Sequence, residues 1–132
     1  MKVLAVDYGL KRVGLASGDT SSRIAFPKAV LLRKNDKVLV EDILKICSED
    51  WYGIVVFGLP FNMDGADGLQ CDFTRNFISL FADEVRVRGL KLEIKEVDER
   101  LSSFEAEKYD GSKEKVDMMA AKIILERYFE LG

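Results

Sequence analysis

Histidine is absent from this chain of 132 residues, and its absence excludes several kinds of active site. There is no Ser-His-Asp or Cys-His nucleophile system and no imidazole acid-base catalysis, and the usual zinc ligands are reduced to cysteine. A hydrolytic reaction would therefore depend on carboxylates, hydroxyls, lysines or a metal-bound water. Carboxylate oxygens select hard divalent cations such as Mg²⁺ or Mn²⁺, so the composition already narrows the chemistry.

Cysteine is scarce and long apolar runs are missing. The two cysteines, Cys47 and Cys71, fall in helix-like patterns without metal-site spacing, which predicts reduced core thiols in a cytoplasmic protein. No segment approaches the ~20 apolar residues that span a bilayer. The first strand begins almost at the N-terminus, so we expect no signal peptide and no membrane partner. The length suits one domain over residues 1–132.

Neither positive nor negative charge dominates the chain, but the charged residues are distributed unevenly along it. The net charge is −3. Residues 1–40 carry eight Lys/Arg and three Asp/Glu, whereas residues 41–132 carry twelve and twenty. A basic N-terminal third could contact phosphates while acidic groups elsewhere gather metal. Solvated surface charge is the alternative explanation.

Hydrophobic periodicity predicts an α/β chain in the order β-β-β-α-β-α-β-α, with a further short helix before the last one. The first two strands are separated by a hairpin-length gap and should pair antiparallel, and Pro27 places the third strand at an edge. Right-handed crossovers should then add two parallel strands, giving a five-stranded mixed sheet with helices on both faces. The predicted strands are 2–8, 12–18, 24–32, 53–58 and 91–97; the predicted helices are 36–49, 67–88 (opened by an Asp67–Gln70 capping box), 102–111 and 113–130.

Three acidic positions fall where such a sheet would bring them together. Asp7 ends the first strand, Asp98 and Glu99 follow the fifth, and Asp117 lies near the start of the final helix. The carboxyl ends of parallel strands share one edge, where ligands of open α/β sheets bind. Clustered carboxylates repel one another and stay ionised by sharing divalent cations. Two such ions can support phosphodiester cleavage.

Simpler explanations exist for each acid. Asp7 could form a turn, Asp117 could complement the helix macrodipole, and Glu99 could pair with Arg100 or Arg12. Strand alternation does not select between Asp98 and Glu99, because the alternation of apolar and polar residues breaks down at the end of the fifth strand.

Four motifs in this order resemble those of the YqgF, or RuvX, proteins of the ribonuclease H-like superfamily. The resemblance covers nearly the whole chain. The four motifs are residues 6–16 (VDYGLKRVGLA), 58–65 (GLPFNMDG), 98–102 (DERLS) and 116–121 (VDMMAA), and the matching segments end with 124–125 (IL).

The resemblance implies a ribonuclease H-like fold and a metal-dependent phosphodiesterase using Mg²⁺ or Mn²⁺, with two ions. It assigns Asp7, Glu99 and Asp117 to the catalytic and metal-binding positions. The implied activity is processing of the 5′ end of pre-16S rRNA in ribosome biogenesis, with ribosome precursors as partners. The alternative is Holliday junction resolution in DNA recombination and repair.

One departure from the family concerns the segment between Glu105 and Asp117, which is shorter and less basic than in related chains. It offers Lys108, Lys113 and Lys115, and predicts a weaker grip on branched nucleic acid. The candidate nucleic-acid-binding residues, each of which could instead be a solvated surface group, are Lys11, Arg12, Asn62, Arg75, Arg100, Lys113 and Lys115.

Two further classes of function remain open. Phosphotransferase-like ATPases share the fold and its Asp-x-Gly turn, but they need two such domains to enclose a nucleotide. A non-catalytic nucleic-acid-binding module would use the acids for structure only, since fold alone never proves activity. We expect a monomer or a weak homodimer that binds structured RNA or branched DNA.

Overall fold

The computed structural model describes residues 1–60, 68–98 and 113–131. Within these residues there are five strands and three helices, numbered here in chain order. The strands are β1 (Lys2–Asp7), β2 (Arg12–Asp19), β3 (Ala25–Leu32), β4 (Tyr52–Leu59) and β5 (Glu93–Asp98), and the helices are α1 (Asp36–Glu49), α2 (Leu69–Val87) and α3 (Lys113–Leu131).

The five strands form one mixed sheet in the order β3-β2-β1-β4-β5. β1 pairs antiparallel with β2 and parallel with β4, β2 pairs antiparallel with β3, and β4 pairs parallel with β5. Pro27 lies in the edge strand β3, where a residue without an N–H is tolerated. The predicted architecture is therefore confirmed, including the parallel arrangement of strands one, four and five.

The two faces of the sheet are covered by different helices. Leu4, Val6 and Tyr8 pack into a cluster with residues of α1 and α2, such as Phe77. Val3 and Ala5, which alternate with them, pack against α3 residues including Ile124. Alternation of side chains along a strand thus assigns each β1 residue to one helical layer.

After Arg12, the strand β2 presents only small side chains to α3. Gly14, Ala16 and Gly18 occupy the same face of β2, because they are two residues apart. A Cβ on Gly18 would lie 3.0 Å from atoms of both Leu125 and Phe129. α3 therefore lies directly on β2 without a layer of larger side chains between them.

Some local predictions were wrong. α2 has Gly68 at its N-cap with no side-chain cap hydrogen bond, so the predicted capping box that opened with Asp67 does not begin this helix, and Asp67 itself lies outside the described residues. The apolar stripe of α2 predicts that Leu80 faces inward, yet Leu80 is 39% exposed. β5 begins at Glu93 rather than at residue 91.

Other predictions hold or fall outside the described residues. Cys47 and Cys71 are both buried, as predicted for core thiols, and burial raises the pKa of the Cys47 thiol to about 12, which keeps it protonated. The predicted short helix 102–111 lies outside the described residues. In the described part of the chain, none of the helices combines the length and apolarity needed to cross a bilayer.

Candidate active site

Asp7 is the last residue of β1 and lies on the sheet face that α3 covers. It follows Val3 and Ala5 at two-residue spacing, and both of those pack into the α3 cluster. In the ladder with β2, Asp7 is opposite Gly14, and directly opposed residues of an antiparallel pair point to the same face. The Asp7 side chain is therefore directed towards α3 at the carboxyl end of a central strand.

The position of Asp117 depends on the absence of a side chain at Gly14. A Cβ on Gly14 would lie only 2.1 Å from the backbone oxygen of Asp117, so α3 approaches β2 there as closely as a glycine allows. Asp117 is the fifth residue of α3 and is partly buried. At Gly14, therefore, the strand pair that carries Asp7 and the helix that carries Asp117 are in close contact.

Arg12 contacts the second of these carboxylates. Its Nε donates a hydrogen bond of 2.7 Å to Asp117 Oδ2, and the two side chains are 32% and 21% exposed. Arg12 shares the α3-facing side of β2 with Gly14, because the two are separated by two residues. A guanidinium has five N–H donors, so this bond does not exhaust its capacity to bind phosphate.

The third predicted acid follows β5. Asp98 ends this strand, pairs in register with Leu59, and accepts a 2.9 Å hydrogen bond from Arg127 Nη1 on its backbone oxygen. Its neighbour Val97 packs into the α3 cluster, so alternation directs the Asp98 side chain to the opposite face from Asp7. Glu99 lies outside the described residues.

The chemistry of the described donors fits a hard divalent cation. Asp7 and Asp117 supply carboxylate oxygens, which Mg²⁺ and Mn²⁺ prefer, and the close approach at Gly14 brings their segments together. Among residues 1–60, 68–98 and 113–131, there is no group of three or more Asp, Glu, Cys or His side chains placed to hold a metal. A complete ligand set would therefore need a residue such as Glu99.

The predicted nucleic-acid-binding residues are distributed unevenly. Lys11 is exposed in the turn between β1 and β2, next to Arg12, while Arg75 on α2 and Lys115 on α3 are also exposed. Lys113 is the first residue of α3, but its side chain lies outside the described residues. Asn62 and Arg100 also lie outside them.

Three residues next to the site form a connected network that the sequence analysis missed. The Tyr8 hydroxyl donates a 2.6 Å hydrogen bond to Asp36 Oδ1, and Arg33 Nε donates to the same oxygen at 2.7 Å. Burial and the Asp36 carboxylate together raise the pKa of Tyr8 to about 12. Asp36 also raises the pKa of Arg33. No sequence spacing links Tyr8 to this pair.

Gly14 belongs to the first motif, but the sequence analysis did not predict its role in the packing of α3. A signal for it was present: Gly14, Ala16 and Gly18 alternate in a strand, and small residues on one strand face indicate close approach of another backbone. The sequence pattern does not indicate which element packs against this face of β2.

Comparisons with known proteins identify the family of the chain. A family model described as "RuvX: Holliday junction resolvase" matches residues 1–131. Relatives named "Putative pre-16S rRNA nuclease" include a Maridesulfovibrio salexigens protein, 40% identical over 97% of both chains. A Fusobacterium nucleatum protein of that name is 35% identical over 98% of this chain and 97% of its own length.

Solved structures resemble the fold at low sequence identity. The Fowlpox virus resolvase, in complex with Holliday junction DNA, has a TM-score of 0.61 at 13% identity, covering 99% of this chain and 98% of that one. Thermus thermophilus RuvC, in complex with a Holliday junction substrate, has a TM-score of 0.59 at 13% identity, covering 99% and 95%. These likenesses confirm the predicted ribonuclease H-like fold.

Proposed function

Because the chain belongs to the RuvX family, we propose that it is a divalent-metal-dependent nuclease that processes the 5′ end of pre-16S rRNA. Asp7, Glu99 and Asp117 are the proposed catalytic and metal-binding residues. Lys11, Arg12, Asn62, Arg75, Arg100, Lys113 and Lys115 are the proposed contacts to nucleic acid. The substrate follows the name carried by the relatives with 35–40% identity.

The convergence of Asp7 and Asp117 at Gly14 carries this proposal. The segments that carry Asp7 and Asp117, more than a hundred positions apart in sequence, approach each other at Gly14, at the carboxyl end of the central strand β1. That edge is where open α/β sheets bind their ligands. A purely structural role for Asp7 would not require α3 to approach β2 so closely at this level.

Glu99 is favoured over Asp98 as the third acid. Alternation in β5 directs the Asp98 side chain to the sheet face opposite Asp7, which argues against Asp98 as a ligand shared with Asp7. Glu99 also matches the family motif, and it supplies the ligand that the described residues lack.

Mg²⁺ or Mn²⁺, as two ions held by Asp7, Glu99 and Asp117, would supply a nucleophilic water and charge stabilisation for phosphodiester cleavage. The chain's own residues hold these cations and orient the substrate. Arg12 holds Asp117 in place through its 2.7 Å bond. Its remaining N–H donors and the Lys11 ammonium are proposed to bind the phosphates on either side of the cleaved bond.

The setting of this activity is also proposed. One ribonuclease H-like domain spans residues 1–132 and acts in the cytoplasm on ribosome precursors, as a monomer or a weak homodimer. No membrane contact is needed for this function.

Holliday junction resolution is the second candidate. It is favoured by the description of the matching family model. Symmetrical cleavage of a four-way junction requires two active sites, and therefore a dimer. The short, weakly basic segment before Asp117 favours the RNA substrate over the junction.

A cleavage panel with the purified chain tests the proposal. The substrates are a 5′-extended 16S rRNA precursor, a four-way DNA junction and an unstructured single-stranded RNA, each with Mg²⁺, with Mn²⁺ and with EDTA. We expect metal-dependent cleavage at the 5′ end of the precursor. Cleavage of the junction alone would replace the first candidate with the second, and cleavage that persists in EDTA would contradict the metal dependence.

Asp7→Asn tests the assigned site. We expect it to lower the cleavage rate by at least about 100-fold, because losing a direct metal ligand should cost no less than losing the outer contacts that support one. The metal-free variant should remain folded, because the substitution keeps the shape of the side chain. Asp83→Asn is the control: Asp83 is an exposed acid on α2 that pairs with Arg86. Equal cleavage by the parent and Asp7→Asn would contradict the assignment.

A further inference from the structure

The turn of residues 8–11 connects the two sides of the proposed site. It begins directly after Asp7 and ends directly before Arg12. A Cβ on Gly9 would lie 2.3 Å from the backbone oxygen of Arg12, so the turn is tightly closed on itself. Any change in the shape of the turn would move both Asp7 and Arg12, whose guanidinium holds Asp117.

Arg33 attaches this turn to the chain that follows β3. Its backbone N–H donates a 2.9 Å hydrogen bond to the backbone oxygen of Lys11. Its side-chain Nη1 donates to the backbone oxygen of Leu10 at 3.2 Å. Two successive carbonyls of the turn are therefore fixed by a single residue.

Tyr8 attaches the other end of the turn to the same residue. Its ring is 4% exposed and stacks on Phe77 with centroids 4.9 Å apart. Its hydroxyl donates to Asp36 Oδ1, which also accepts from Arg33 Nε, and the Arg33 guanidinium carbon lies 5.9 Å from the Tyr8 ring centroid. The carboxylate of Asp36 thus joins both ends of the turn.

We infer that Tyr8, Arg33 and Asp36 are positioning residues for the proposed metal site, an inference that rests on the proposed function. Tyr8 and Asp7 are adjacent, so they point to opposite faces of the sheet. Holding Tyr8 by its hydroxyl fixes the rotation of the chain at the end of β1, and therefore the direction of the Asp7 carboxylate. Outer contacts that orient a ligand typically change metal affinity 10–100-fold.

A second tyrosine provides a matched control. Tyr52 is 6% exposed, and its hydroxyl donates a hydrogen bond of the same length, 2.6 Å, to Ser17 Oγ. It lies at the first position of β4, at the opposite end of the parallel strands from Asp7. Tyr8→Phe and Tyr52→Phe therefore remove the same chemical group from a similarly buried site, and differ in distance from the proposed metal.

The test compares three measurements on the full chain: the urea midpoint, the Mn²⁺ dissociation constant, and amide hydrogen exchange of residues 8–12. We expect Tyr8→Phe to weaken Mn²⁺ binding about tenfold and to accelerate exchange in the turn, and Arg33→Gln to do the same. Tyr52→Phe should lower the urea midpoint about as much as Tyr8→Phe while leaving Mn²⁺ affinity and turn exchange unchanged.

The outcomes separate this inference from the proposed function. If the parent binds Mn²⁺ and Tyr8→Phe binds it equally well, the positioning role is overturned and the metal site stands. If both tyrosine variants weaken Mn²⁺ binding equally, the effect is general destabilisation and the positioning role is again overturned. If the parent binds no Mn²⁺, the proposed metal site fails, and the positioning role fails with it.

Discussion

At the scale of single residues, the Arg12–Asp117 ion pair decides how the acidic site is held before a cation binds. Two carboxylates brought together without a counter-charge would repel each other. Arg12 supplies that charge at 2.7 Å from Asp117. A divalent cation at the same carboxylate would have to compete with this guanidinium, so the pair both maintains the site and limits its affinity for metal.

Arg12→Gln is expected to separate these two effects. Without metal, the variant should be less stable by about 1 kcal/mol, or roughly 4 °C in melting temperature. In the parent, Mn²⁺ has to displace the guanidinium from Asp117, which costs the ~1 kcal/mol of the ion pair. Without this cost, the variant should bind Mn²⁺ about fivefold more tightly. Thermal unfolding across a Mn²⁺ titration measures both quantities in one experiment.

Lys28→Gln is the control for this prediction. It removes a 2.9 Å ion pair to Asp50, whose side chains are 27% and 42% exposed. We expect a similar or smaller loss of stability and no change in the Mn²⁺ dependence. If Arg12→Gln instead binds Mn²⁺ more weakly than the parent, the orientation of Asp117 by the guanidinium outweighs its competition with the cation, and the predicted gain in affinity is wrong.

At the scale of elements, the packing of α3 on β2 sets the height of the helix above the sheet. The small residues Gly14, Ala16 and Gly18 allow the close contact, and Arg127 ties the same helix to the end of β5 through the Asp98 carbonyl. The helix carries Asp117 near its start, so a shift of the whole element by less than an ångström would be felt at the site.

Gly14→Ala should therefore harm both stability and metal binding. The added methyl group meets the backbone of Asp117 at 2.1 Å, and a backbone cannot move aside like a flexible side chain. Overpacking of this kind costs about 1–3 kcal/mol. We expect Mn²⁺ affinity to fall about tenfold, because the start of α3 is displaced; urea unfolding and Mn²⁺ titration measure the two losses.

Gly18→Ala provides the comparison within the same two elements. Its Cβ would lie 2.7 Å from the Ile24 backbone oxygen and 3.0 Å from Leu125 and Phe129 atoms, so a loss of stability is expected here too. The affected part of α3 is far along the helix from Asp117. If Gly18→Ala weakened Mn²⁺ binding as much as Gly14→Ala, α3 would respond as a rigid whole and the local explanation would be wrong.

At the scale of the whole molecule, the sequence predicted the sheet because its signals are local. Apolar runs marked the strands, Pro27 marked the edge, and the order of elements constrained the crossovers. The position of Asp7 followed directly, since a strand end is a local feature. The family resemblance, not the pattern, supplied the choice of Glu99.

What the sequence did not predict depends on contacts between distant segments. Arg12 and Asp117 are 105 positions apart, and no spacing rule links a glycine in β2 to one turn of α3. Leu80 fits the apolar stripe of α2 but remains 39% exposed, because the packing of neighbouring helices decides which edge of a stripe is covered. Tyr8, Arg33 and Asp36 each have ordinary local explanations, and only the fold joins them.

The uneven charge of the chain predicts how nucleic acid binding should depend on salt. The chain is acidic overall, yet Lys11, Lys34 and Lys37 are exposed around the turn and the start of α1, which the Arg33–Lys11 hydrogen bond joins. In a plot of the logarithm of the RNA association constant against the logarithm of the salt concentration, these three lysines should together contribute about −2 to the slope if each neutralises one phosphate, at roughly 0.7 per contact.

The slope is measured with single-stranded precursor RNA in the Asp7→Asn background, where cleavage is expected to be at least about 100-fold slower. Each of Lys11→Gln, Lys34→Gln and Lys37→Gln should make it shallower by about 0.7. Lys45→Gln should leave it unchanged, since Lys45 lies near the end of α1 and pairs with Glu49. If none of the three substitutions changes the slope, the phosphates are contacted by other cations, and this surface does not bind the RNA.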